Sequence, residues 1–176
     1  MNRRNILKYV ATGVVLSGAG GAYWLSKERD YAHLTIDAAI DKLDSMTVGS
    51  IENSSAWEIS RVFGHLSQGI EFSMTGYPEP KAEIFQKTVG KLAFNVFQAR
   101  GKMNHDLGEP IPGEVITKQL IKPSDALNEL KQSLLSFRDF DGALKPHFAY
   151  GSLNKGEYSA AHVMHINNHL EELKNA

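Results

Sequence analysis

LNKGEYSAAHVMHINNHLEEL, residues 153–173, is the stretch that decides the fold. Asn154 and Glu157 stand three residues apart, the spacing of a capping box that opens a helix. No proline or glycine interrupts the chain from Glu157 to Leu173. His162, His165 and His169 follow at steps of three and four residues, which puts them on one helical face with Tyr158, Ile166 and Leu173. A face with that apolar content points inward. An inward row of imidazoles is costly unless its nitrogens have partners. A metal ion answers that cost most directly, because neutral imidazole ligates zinc, nickel and iron. The chain has only seven histidines, and three of them fall in this stretch.

Working outward, helical periodicity repeats along the chain. Residues 34–46 place Leu34, Ile36, Ala39, Ile40 and Leu43 on one stripe, with Thr35 as cap and Gly49 as stop. Residues 55–74 (SAWEISRVFGHLSQGIEFSM) form a second helix, capped by Ser54 or Ser55, with Glu58 completing a capping box. Its stripe is Ile59, Val62, Phe63, Leu66 and Ile70, and Gly76 and Pro78 end it. A third helix runs over 82–100, interrupted by Gly90. Residues 101–122, with three glycines and two prolines, form a long connection of the kind that often carries function. Ser124 caps a fourth helix with Leu127, Leu130, Leu134 and Phe137 inward. Strand signals are scarce. The pattern predicts an all-α protein, an antiparallel bundle of four core helices plus one more, over residues 31–176.

The N-terminus reads MNRRNILKYVATGVVLSGAGGAYWLSKERD. Arg3, Arg4 and Lys8 precede an uncharged run from Tyr9 to Ser26, the layout of an export signal. RRNILK resembles the twin-arginine motif, with Asn2 in the usual Ser/Thr place and Ile6 in the usual Phe place. Residues 1–26 are therefore expected to be a signal, or a membrane anchor if they are not cleaved. The protein is expected in the periplasm or held to the outer face of the inner membrane through residues 6–26. The formal net charge of -1 gives no electrostatic case for nucleic acid. With no cysteine, the chain has no disulfide, thiolate metal ligand or cysteine nucleophile of its own.

His165 and His169, at i and i+4, have the better spacing for one ion, and His162 with His165 the weaker. A third ligand must come from another helix, and His65 in the second helix is the candidate. Such a set leaves a coordination position open, as reactive metal sites do. Ile166 occupies the place of the glutamate in an H-E-x-x-H motif, so zinc-protease chemistry is not expected. No protein nucleophile or general base stands out. Tyr158 can donate a hydrogen bond into the cavity but reads first as core. Glu71 can serve as a base only by its place in the sequence and reads first as solvated surface, and His105 and His147 are read as structural loop residues.

Trp57 and His65 as W-x7-H, GYPEPK at 76–81, HFAYG at 147–151 and LNKGEYSAAHVMHINNHL at 153–170 occur in an order that resembles the DinB-like (YfiT-like) superfamily over residues 34–174. The resemblance implies that His65, His165 and His169 hold a divalent metal. It also implies the activity of a metal-dependent hydrolase or a thiol-dependent transferase of unidentified substrate. A non-catalytic metal- or small-molecule-binding module is the alternative. Phe148 replaces the usual proline after His147, and Asn168 and Glu172 stand where related sequences often have His and Gln. The expected partners are a small molecule, no nucleic acid, and a second copy of the chain in a homodimer.

Overall fold

The computed structural model describes residues 34–47, 51–53, 57–115 and 122–175. The signal or anchor segment, the Gly49 stop and the Ser54 or Ser55 cap lie outside them. The described chain is helical: α1 (Ile36–Asp44), α2 (Ile59–Thr75), a single turn α3 (Glu83–Phe85), a π-helical turn (Gln86–Gly90), α4 (Lys91–Arg100), α5 (Pro123–Asp139) and α6 (Lys155–Leu170). Helices α1 and α2 each pack on both α5 and α6, and α4 packs on α6. Phe63, Leu66, Phe94, Leu130, Leu134, Phe137 and Ile166 fill the space between them, all fully buried. Truncating one of these phenylalanines to alanine would cost about 3–5 kcal/mol.

Two caps form as the sequence predicts. Thr35 Oγ1 accepts from Ala38 N at 3.1 Å. Asn154 Oδ1 accepts from Glu157 N, and Glu157 Oε2 accepts from Asn154 N, both at 2.9 Å. Two others do not. α2 begins at Ile59, so Glu58 sits at the cap position and makes no capping bond with its side chain. Trp57 therefore precedes the helix. At α5, Lys122 holds the cap position and Pro123 the first helical turn. Proline's fixed φ starts a helix without a side-chain cap, and Ser124 is already inside.

The helical expectation holds, with one short strand pair beside the helices. β1 (Ile51–Asn53) pairs antiparallel with β2 (Leu173–Asn175), with Asn53 opposite Leu173. Strands of three residues are too short to show alternation in a sequence. This pair ties the segment before α2 to the chain after α6, the two helices that carry the histidines.

The π turn fixes a neighbouring loop. Gly90 is buried in it, and a Cβ there would lie 1.8 Å from Ala149 O. Only glycine permits that approach. Gln86 Nε2 and Lys81 N both donate to Phe148 O, at 3.2 Å and 2.8 Å. The loop closes on itself through paired backbone bonds between His147 and Gly151.

Candidate metal centre

His65 from α2 and His165 and His169 from α6 converge. One nitrogen from each lies within 4.8 Å of the other two. His65 Nε2 and His165 Nε2 are 3.3 Å apart. Two nitrogen ligands at 2.0–2.1 Å from one ion, at a tetrahedral angle, would be about 3.4 Å apart. His65 and His169 are buried, and His165 is half-buried.

The proton positions follow from the neighbours. His65 Nδ1 lies 2.7 Å from Glu114 Oε2, which also accepts from Ile111 N at 2.9 Å. A carboxylate only accepts, so Nδ1 carries a ring proton and Nε2 is the nitrogen turned toward His165. Neither nitrogen of His169 has a hydrogen-bond partner among the described residues. Burial first, then the neighbouring imidazoles, push the His165 pKa well below the usual histidine range. The same causes push His169 down to about 3. These two rings are neutral at ordinary pH. His169 thus keeps a buried lone pair that no described donor meets, and the His65–His165 contact at 3.3 Å sets two ring nitrogens at ligand spacing, an arrangement that fits a cation.

Glu114 is the residue that sequence reasoning missed. It follows a β-turn at Ile111-Pro112-Gly113-Glu114, closed by Glu114 N donating to Ile111 O at 2.9 Å. Gly113 holds φ at 77°. Proline followed by a left-handed glycine is the signature of a type II turn, so the turn was legible. That the acid after it would meet His65 was not. The contact is the carboxylate–histidine arrangement that orients metal ligands and raises their basicity.

His105, read as structural, also reaches this place. Its ring lies 4.9 Å from that of His165 and 5.3 Å from that of His169. Trp57 closes another side, stacked on His169 at 6.2 Å and edge-on to His65 at 5.0 Å. The Arg61 guanidinium covers Trp57 at 4.1 Å. His162 is not in the three-histidine group: it donates through Nε2 to Ser73 Oγ at 3.2 Å, while Ser73 donates to Ile70 O at 2.5 Å. Tyr158 donates to Lys145 O at 2.6 Å and is fully buried core. Glu71 accepts from Ser133 Oγ at 2.9 Å, in a contact between α2 and α5.

A family model described as a protein of unknown function (DUF1569) matches residues 25–176. The chain belongs to this family. No curated protein and no solved structure matches it. The DUF1569 description assigns no reaction, so the chemistry must be read from the residues.

A cavity of about 260 Å³ opens beside the histidines. His65, His105, His162 and His165 line it together with the aromatic rings of Tyr77, Phe85, Phe148 and Tyr150. Lys81 and Glu109 also line it. His147 Nδ1 accepts from Ala149 N and Tyr150 N at 3.1 Å and 3.2 Å, so its proton sits on Nε2. Its ring stacks on Tyr150 at 4.2 Å.

Proposed function

We propose that this protein binds a divalent transition metal, zinc, nickel or iron, through His65, His165 and His169, and presents it to a small molecule in the adjoining cavity. The observation that carries the reading is the pair of partnerless nitrogens on buried His169, beside the Nε2 atoms of His65 and His165 set 3.3 Å apart. A metal held there supplies Lewis acidity. Glu114 holds His65 in the ligating tautomer, and Trp57 backs two of the rings against water. The aromatic wall offers apolar surface to a substrate body. The reaction class is that of a metal-dependent hydrolase or a thiol-dependent transferase, supported by the resemblance to the DinB-like superfamily and its antiparallel four-helix bundle. A second reading is a non-catalytic metal- or small-molecule-binding module. It draws on the same wall, which offers much surface to bind and few groups to do chemistry.

Export through the twin-arginine route is part of the proposal and rests on Arg3 and Arg4 ahead of an uncharged run. No helix among the described residues is long and apolar enough to cross a membrane. Replacing both arginines with lysine should hold the protein in the cytoplasm, and normal fractionation of that variant would reject the route.

The deciding experiment for the centre uses protein without a polyhistidine tag. Metal analysis and calorimetric titration should find a single tightly bound ion, lost in His169→Ala. A screen of thiol and ester substrates on the loaded protein then separates enzyme from binding module. Equal metal binding by wild type and His169→Ala would defeat the assignment.

A further inference from the structure

His105 remains unexplained by a three-histidine centre. Its Nδ1 lies 2.9 Å from Asp106 O, a carbonyl that can only accept, so the proton sits on Nδ1 and Nε2 keeps its lone pair. That Nε2 is buried and has no hydrogen-bond partner among the described residues. It is the same condition as His169, in a ring 5.3 Å away. A buried acceptor left unmet costs about 1–3 kcal/mol. A loop histidine with a merely structural role would be expected to have both nitrogens occupied.

Among the described residues, five of the six ring pairs that His65, His105, His165 and His169 can form have the spacing of a shared centre, and the sixth, His105 with His65, makes no ring contact, so His105 must swing inward to complete it. An imidazole centroid lies about 3.2 Å from an ion bound at 2.0–2.1 Å, so two ligands at a tetrahedral angle have centroids about 5 Å apart. The three tight-group rings are 4.9–5.1 Å apart. His105 stands at 4.9 Å and 5.3 Å from His165 and His169. It thus adjoins two members of the group, as His65 does. His105 and Glu114 belong to one connection between α4 and α5, and Glu114 already grips His65.

From the partnerless Nε2 and these spacings, we propose that His105 is a fourth nitrogen donor of the metal centre, drawn onto the ion when it binds. The inference rests on the three-histidine reading above and extends it. The connection then serves the centre twice, through a ligand and through the carboxylate that orients another ligand. Because His105 also lines the cavity, it is the donor that an arriving small molecule displaces, which reopens the position the three-histidine set leaves free.

The test compares zinc affinity and the visible spectrum of the cobalt(II) form in wild type, His105→Ala, Glu114→Gln and His169→Ala. Loss of an outer partner lowers metal affinity about 10–100-fold, so Glu114→Gln sets that scale. His105→Ala should lose more affinity than Glu114→Gln and should shift the cobalt spectrum, which reports donor number and geometry. X-ray absorption of the zinc-loaded wild type should count four imidazoles, and this decides the matter even if His105→Ala fails to fold. A count of three, or an unchanged cobalt spectrum in His105→Ala, overturns the proposal while leaving the three-histidine centre intact. Unchanged zinc affinity in His169→Ala would instead overturn that centre, and this proposal with it.

Discussion

His162 and His169 lie seven residues apart on α6, and both are buried. Burial pushes the pKa of each down to about 3. There the likeness ends. His162 donates to the Ser73 hydroxyl, and its ring meets Phe137 at 4.9 Å and Tyr158 at 5.4 Å. His169 has no partner on either nitrogen among the described residues. A buried histidine is therefore not a mark of function by itself. The mark is a buried histidine whose lone pair the fold leaves open.

Acid should act on both rings alike and give the largest effect. An unfolded histidine titrates near 6.5, whereas these rings stay neutral in the fold down to about 3. Between those values the unfolded chain binds more protons, so stability is full above about pH 6.5 and falls as pH falls. Each ring would account for about 4–5 kcal/mol by pH 3. In metal-free protein, denaturant titrations at stepped pH should show His162→Met with a shallower slope, by about 1.4 kcal/mol per pH unit. An identical slope in wild type and variant would break the symmetry claimed here.

Metal should separate the two rings. Zinc at 100 times its dissociation constant should stabilise the wild type by about 2.7 kcal/mol, a rise in melting temperature of roughly 5–11 °C for a domain of this size. His162→Ala should keep that response and His169→Ala should lose it. The reverse outcome would mean that the i, i+3 pair, His162 with His165, holds the ion.

A smaller effect sharpens the same contrast from the outside. Glu114→Gln should keep a hydrogen bond to His65 but weaken metal binding about 10–100-fold, or about 1.4–2.7 kcal/mol. Calorimetric titration reads it, and an unchanged affinity would show that Glu114 does not tune the centre. Ser73→Ala should give the smallest change. It leaves His162 Nε2–H buried and unmet, at a cost of about 1–2 kcal/mol, with metal affinity untouched. A drop in zinc affinity in that variant would tie the two ends of α6 together.

The ladder at 162, 165 and 169 was readable because helical spacing is local, and His65 stood out in an apolar stripe for the same reason. The Thr35 cap, the Asn154–Glu157 capping box and the Pro112-Gly113 turn were readable too. What the sequence could not show was which ring would meet Ser73 and which would meet nothing, since that depends on helices brought together from 89 residues apart. Glu114 and His105 were hidden for a related reason. Both lie in a connection with no periodicity, so only the folded path says where their side chains go. The β1–β2 pair was too short to leave a pattern, and α2 starts at Ile59, with Glu58 at its cap position.

Gly90 carries a consequence of another kind. It touches no imidazole, yet the carbonyl of Ala149 occupies the space where any other residue would place its Cβ. Acquiring a side chain at this position would push back the loop that holds Phe148 and Tyr150, both of which line the cavity. The metal ligands could all persist through such a change while the chamber beside them took a new shape. Within the lineage, glycine at this position becomes a genetic marker for chamber shape: descendants that keep the histidines but lose the glycine should have diverged in what they accept, not in the ion they hold.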